Sequence, residues 1–181
     1  MFTKKMIAAA AALLVTQVAF ADDKLVDSVS FDVGAGENVQ MIRLNAAKDW
    51  DVRWFQSNGT HLSGYWEAST GVWRENRYMN RVGDEHKLWD IGFTPVFRFE
   101  NDNKKGIYYE GGIGVHMLSK LYNNSDNRLG THFQFGDHIA MGYVFDNNWE
   151  AAVKLQHFSN GGYKKPNSGV NFVELKVAYH F

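Results

Sequence analysis

The chain has 181 residues, enough for one ordinary domain. Its 19 Lys and Arg balance 20 Asp and Glu, a formal net charge of −1, which excludes nucleic-acid binding by bulk charge. Cysteine is absent, so no disulfide framework holds the fold, while aromatics reach 15% with six Trp and only two Pro.

The chain opens MFTKKMIAAAAALLVTQVAFADDK. Lys4 and Lys5 form a charged start, Met6 to Val15 an apolar run, and Ala19-Phe20-Ala21 a small-x-small cleavage site. This pattern predicts a secretory signal peptide over 1–21. The apolar run falls short of the roughly 18 residues of a membrane helix. Cleavage after Ala21 leaves 181 − 21 = 160 residues for a single domain over 22–181.

From there apolar and polar residues alternate with period two, the mark of strands with two unlike faces. The first strand runs from Leu25 to Ala35, with Val29, Phe31 and Val33 set against Ser28, Ser30 and Asp32. A second, long strand spans Val39 to Phe55, and its apolar set is Ile42, Leu44, Ala46, Trp50, Val52 and Trp54. A turn at Ser57-Asn58-Gly59 leads to a third, Leu62 to Trp73. The fourth, Leu88 to Glu100, sets Trp89, Ile91, Phe93, Phe97 and Phe99 against Asp90, Thr94, Arg98 and Glu100. The fifth covers Ile107 to Leu118, the sixth Thr131 to Phe145, the seventh Trp149 to Ser159, and the eighth Gly169 to Phe181.

Eight strands is an even count and the smallest usual size of a membrane barrel. Export, many aromatics and modest hydropathy fit an all-β fold, an eight-stranded antiparallel transmembrane barrel of the outer membrane, where only alternate residues meet lipid. Arg98, Glu100, Glu110, Glu150, Lys154, Gln156, Glu174 and Lys176 then fill a polar interior, joined by His116, His132, His138 and His180. The last strand ends Val173, Leu175, Val177, Tyr179, Phe181, which resembles the C-terminal signature of Gram-negative barrels. A soluble lipocalin-like barrel would reverse the two faces. Connections at 57–59, 101–105 and 146–148 are short, and those at 74–87, 119–130 and 160–168 longer. Short periplasmic turns and long outer loops place the end of the seventh strand at the outer leaflet.

On that strand Trp149, Ala151, Val153 and Leu155 face lipid, and by parity so do His157 and Ser159. Residues i and i+2 share a face about 7 Å apart. Polar groups facing lipid are costly unless paired or functional. A serine nucleophile needs a base, a group that orients the base, and donors for an oxyanion. His157 is the natural base for Ser159. Asn160, Gly161 and Gly162 follow directly with loop amides, and Asn167 offers a side-chain amide, so Asn160, Gly162 and Asn167 are the expected oxyanion and substrate contacts. Lys164 and Lys165 bring positive charge suited to the phosphates of lipopolysaccharide. No histidine or acid cluster has metal-ligand spacing.

His157-Phe158-Ser159-Asn160, the glycine-containing loop after it, Pro166-Asn167 and the terminal strand ending in Phe181 resemble the PagL family of outer-membrane lipid A 3-O-deacylases. The resemblance is strong from Phe133 onward and elsewhere rests on strand count and signal peptide. It implies an esterase that removes the primary acyl chain at position 3 of lipid A, with Ser as nucleophile, His as base, and neither cofactor nor metal. The family's acid is a Glu near the start of the last strand. Counting back from Phe181 without gaps, that position holds Asn171. Asn171 has outward parity, whereas Glu174 points inward. Asn171 can orient His157 through its oxygen, as the Asn of Cys-His-Asn proteases does. Asp137 is a second candidate. If the Asp146-Asn147-Asn148 turn pairs Phe145 with Trp149, facing residues sum to 145 + 149 = 294, and Asp137 lies across from His157.

The expected partners are lipopolysaccharide and the outer membrane, with no nucleic acid; a homodimer is left open. Two other readings use the same residues differently: an outer-membrane phospholipase or acyltransferase, and a non-enzymatic structural or adhesion barrel.

Overall fold

The computed structural model describes residues 24–181. The expected signal peptide over 1–21 lies outside them. The strands are β1 (Ser28–Gly36), β2 (Val39–Asp49), β3 (Trp54–Ser57), β4 (Thr60–Glu75), β5 (His86–Asn101), β6 (Gly106–Leu118), β7 (Asn123–Asn124), β8 (Asn127–Arg128), β9 (Phe133–Val144), β10 (Trp149–Ser159) and β11 (Val170–His180). Eight of them close into one antiparallel barrel, in the order β2-β1-β11-β10-β9-β6-β5-β4, with β4 pairing back to β2. Closure leaves no unpaired backbone row for the hydrocarbon, the condition any spanning sheet must meet.

The expected faces hold. Phe31, Ile42, Trp89, Phe97, Ile113, Val153 and Leu175 are exposed on the outer wall, while Asp32, Arg43, Asp90, Lys154 and Glu174 are buried inside. Within the barrel, Lys154 Nζ lies 2.7 Å from Asp32 Oδ2 and 3.0 Å from Glu174 Oε2. Nearer the short turns, Arg98 bridges Glu110 at 2.7 Å and Glu150 at 3.0 Å, and Lys176 lies 3.2 Å from Glu150. The buried charges in these two clusters thus have counter-charges, which repay part of the cost of leaving water.

Two features depart from the expected pattern. The second strand is not continuous. Asp49 faces Tyr65 but Trp54 faces Leu62, so one side advances five residues while the other advances three. Trp50 fills the bulge. Its N–H donates to Gly64 O at 2.8 Å, and its ring packs edge-on against Trp54, Trp66 and Phe97 at 5.0–6.0 Å. The interior is also not polar throughout. At the long-loop end Val39, Met41, Trp73, Leu88, Leu118, Tyr122, Leu129, Phe158, Val170 and Phe172 form one buried apolar plug. His132 is a smaller correction: it precedes β9, is exposed, and its Nδ1 lies 2.7 Å from Leu118 O rather than joining the interior. His116 and His138 are buried inside as expected.

Connections at one end are short. Asn58-Gly59 joins β3 to β4 with both residues at positive φ (53° and 80°), the demand of a two-residue hairpin whose twist matches its strands. The other end carries 76–85, 119–132 and 160–169. These three are tied together. Tyr78 bridges to Asn124, Leu129 bridges to Asn167, and Asn124 Nδ2 donates to Asn38 O at 2.8 Å. The small β7–β8 hairpin inside 119–132 is what both neighbours grip.

Candidate active site

The site lies where β10 reaches the long-loop end. β10 is flanked by β9 and β11, so each of its residues has two opposite partners. For His157 they are Asp137 on β9 and Asn171 on β11. The register sum of 294 inferred from the Asp146-Asn147-Asn148 turn is observed along the whole β9–β10 ladder. His157, Ser159 and Asp137 are half-buried and Asn171 is exposed, all on the outer wall.

Of the two flanking groups, Asn171 makes the contact. Its Oδ1 lies 2.6 Å from His157 Nδ1. A carboxamide oxygen only accepts, so Nδ1 carries the proton and the neutral ring keeps its lone pair on Nε2. Among the described residues no hydrogen bond joins Asp137 or Ser159 to the ring. Glu174 is fully buried between Lys154 and Arg43 and faces away.

The ring rests on Gly169. This glycine has φ of 75°, and a Cβ there would lie 2.6 Å from His157 Cε1 and 3.3 Å from Nε2. Continuing the β10–β11 register, where Phe158 faces Val170, puts Gly169 across from Ser159. The Cε1–Nε2 edge of the imidazole therefore lies against the backbone just before β11. Sequence reasoning did not find this contact.

Phe158 anchors the segment from within. Its ring packs 4.7 Å from Trp73, 5.0 Å from His116 and 6.0 Å from Phe172, and the Arg43 guanidinium lies 5.3 Å from its centroid. The residue between His157 and Ser159 is thus locked in the plug, and both side chains are forced outward.

Beyond Ser159 the chain folds into a loop around Asn160, which is almost fully buried. Asn160 N–H donates to Asn167 Oδ1 at 2.9 Å, and its Nδ2 donates to Lys164 O at 2.7 Å. Its Oδ1 accepts from Gly162 N–H at 3.0 Å. Of the three residues expected at an oxyanion, Asn160 and Gly162 are therefore engaged within the loop. Asn167 holds the loop by its oxygen and has Nδ2 left, with no acceptor for it among the described residues. Lys164 and Lys165 are exposed and form no ion pair among the described residues.

A groove of about 920 Å³ crosses the outer wall at the level of His157. Asp137, Ile139, Leu155, Asn171 and Val173 line it beside the imidazole, and Gly111 and Gly112 line it further round the barrel. Small residues there let the wall sink between bulky aliphatic neighbours.

Comparison with known proteins decides the family. The family model described as Lipid A 3-O-deacylase (PagL) matches residues 40–180. The chain belongs to the PagL family. It is 35% identical over 175 residues to the lipid A deacylase PagL of Pseudomonas aeruginosa, covering 95% of this chain and 96% of that one. It is 30% identical over 155 residues to the lipid A deacylase PagL of Bordetella bronchiseptica, covering 84% and 83%. The crystal structure of the outer membrane enzyme PagL superposes with a TM-score of 0.72 at 31% identity, over 85% of this chain and 99% of that one. Neisserial surface protein A, at 12% identity and a TM-score of 0.52, covers 85% and 94% and shares the fold alone. In this chain the group bonded to the His157 ring is an amide, Asn171.

Proposed function

We propose that this chain hydrolyses the ester-linked primary acyl chain at position 3 of lipid A, with Ser159 as nucleophile and His157 as general base. Membership of the PagL family supports the reaction class, an outer-membrane lipid A deacylase. The observation that carries the assignment of residues is the 2.6 Å contact from His157 Nδ1 to Asn171 Oδ1 on the lipid-facing wall. That bond fixes the tautomer and leaves Nε2 as the proton acceptor, two residues from a hydroxyl on the same face.

The chemistry follows the serine-esterase pattern. Nε2 accepts the Ser159 proton as Oγ attacks the ester carbonyl. The tetrahedral oxyanion meets the Asn167 Nδ2 amide, which is aimed because its own oxygen is tied to Asn160 N–H. The intermediate collapses, Nε2 returns the proton to the departing sugar oxygen, and the acyl group stays on Ser159. Water, deprotonated by the same nitrogen, then releases the fatty acid. Nucleophile–base contacts in unliganded enzymes are often long and tighten when substrate binds, which accommodates the absence of a Ser159–His157 bond. Asp137 contributes negative charge beside the imidazolium. The apolar groove takes the acyl chain, and Lys164 and Lys165 face the phosphates at the headgroup level. All of these groups come from one chain, so the reaction needs no second subunit even where a homodimer forms.

Ser159→Ala in a Gram-negative host tests the assignment. Mass spectrometry of extracted lipid A should show the 3-O-acyl chain retained, while the barrel remains heat-modifiable in gels. Activity above about a hundredth of wild type would exclude Ser159, because loss of a nucleophile removes several powers of ten.

A further inference from the structure

We infer that the segment Arg128–Gly130, in the neighbouring 119–132 loop, is a positioning element for the reaction, and that Gly130 is the residue that lets it act. It does so by holding the 160–169 loop in the shape that presents Asn167. The inference rests on Ser159 and Asn167 having the roles just proposed.

Two backbone hydrogen bonds join the two loops and together form one β-bridge. Gly130 N–H donates to Pro166 O at 2.7 Å and Ser168 N–H donates to Arg128 O at 3.1 Å, which bridges Leu129 to Asn167. The Ser168 hydroxyl also accepts from Arg128 N–H at 3.4 Å. Arg128–Gly130 thus runs beside Pro166–Ser168 as a short extra strand, and Asn167 sits at its centre. The extra strand is itself fixed. Leu129 is buried in the apolar plug beneath the site, and the β7–β8 hairpin before it is bonded to the 76–85 loop and to Asn38. A rigid support therefore meets a loop that has no other regular structure.

Gly130 sets the approach distance. A Cβ at Gly130 would lie 2.8 Å from Lys165 O, 2.9 Å from Lys165 C and 3.0 Å from Pro166 O. All three are backbone atoms that cannot rotate away. Ordinary contact begins near 3.4 Å, so the facing backbone must retreat by 3.4 − 2.8 = 0.6 Å. That retreat passes to Asn167, from Asn167 Oδ1 to Asn160 N–H, and so to the residue directly after Ser159. Misplacement by about 1 Å costs roughly a hundredfold in rate, so about half that distance costs on the order of tenfold.

The test uses the full enzyme, purified as a heat-modifiable barrel in detergent, acting on lipid A micelles. Gly130→Val should lower kcat by about tenfold or more with KM within about twofold, and Gly130→Ala should show a smaller loss of the same kind. In an Asn167→Ala background, Gly130→Val should cost less than about twofold further, since the lost amide is what it displaced. An unchanged kcat in both Gly130 variants would overturn the inference, as would a loss confined to KM or an undiminished loss in the Asn167→Ala background. If Gly130→Val does not fold, Gly130→Ala and Ser168→Ala carry the same comparison. Ser159→Ala run in parallel separates the two claims. Should it stay active, the serine assignment fails. Should it be dead while Gly130→Val is fully active, only the positioning role fails.

Discussion

Gly169→Ala probes the seat of His157, the proposed base, more directly than any change to the base itself. The added methyl meets two obstacles. The backbone at 169 has φ of 75°, a left-handed conformation that costs a non-glycine residue about 1–2 kcal/mol. The methyl would also lie 2.6 Å from His157 Cε1, so the ring must withdraw by 3.4 − 2.6 = 0.8 Å to reach ordinary contact. Withdrawal stretches the 2.6 Å bond to Asn171 and displaces Nε2. A displacement near 1 Å is worth roughly a hundredfold in rate. The strain of about 1–2 kcal/mol is below the roughly 5–15 kcal/mol that holds a typical domain folded, so the variant should still fold. The measurement is kcat on lipid A micelles, with heat-modifiability and thermal unfolding monitored in parallel. The expected result is a fall of about a hundredfold in kcat with a small change in unfolding temperature. A folded Gly169→Ala enzyme within threefold of wild-type kcat would refute the claim that the ring is seated on this glycine.

Lys154→Met should act on stability rather than chemistry. It strands Asp32 and Glu174 inside the barrel, and breaking such a buried pair costs about 3–5 kcal/mol, so heat-modifiability should be lost at a lower temperature while kcat at low temperature stays near wild type. Replacing Lys164 and Lys165 together by Gln should raise KM for bis-phosphorylated lipid A and flatten its salt dependence. The same pair should leave kcat on an uncharged ester substrate unchanged; a proportional loss on both substrates would remove the phosphate role.

Strand faces were legible because the barrel wall has two solvents, lipid outside and a polar interior, and parity must follow them at every residue. The β9–β10 register was legible for a local reason: a short turn at Asp146-Asn147-Asn148 fixes all later pairs, and Asp137 falls opposite His157 in consequence. The bulge at Trp50 was not legible, and parity explains why. It inserts two residues, and a two-residue insertion returns every side chain to its former face, so Trp50, Val52 and Trp54 keep their alternation across it. Only the distant Gly64, which leaves room for the Trp50 ring, marks the place. The apolar plug was hidden differently. Trp73, Leu88, Leu118, Phe158 and Phe172 each lie at an inward position, but on separate strands, and nothing local says that their loop-side ends converge. His132 was assigned inward by carrying the parity of β9 one residue past its start. The site's chemistry lay in one short segment, whereas its supports, Gly169, Gly130 and Phe158, act through contacts made only when strands and loops are brought together.

In the proposed mechanism, two jobs usually given to one carboxylate are divided between two strands. A triad acid holds the base in one tautomer and stabilises the imidazolium that forms. Asn171 does the first through its oxygen but carries no charge for the second. Asp137 carries the charge but makes no hydrogen bond to the ring among the described residues. Residues directly opposite on neighbouring strands have Cα atoms about 4.5–5.5 Å apart, so a carboxylate near 6 Å from the imidazolium is reasonable. At an effective dielectric of about 20 such a pair is worth roughly 332/(20 × 6), or about 3 kcal/mol, on the order of a hundredfold in rate. Asp137→Asn, which keeps shape and loses charge, should therefore lower kcat by about that factor. Asn171→Ala, which frees the ring to turn, should lower it at least as much. The decisive variant is Asn171→Glu. In the wild-type background it should preserve or raise kcat. In the Asp137→Asn background it should restore most of the lost rate, because one residue then both orients and charges the pair. If Asp137→Asn is silent and Asn171→Glu brings no gain, the charge plays no part and the site runs on orientation by Asn171 alone. If Glu174→Gln instead abolishes activity in a well-folded barrel, the orienting group lies inside the barrel and the register at the start of β11 is wrong by one residue.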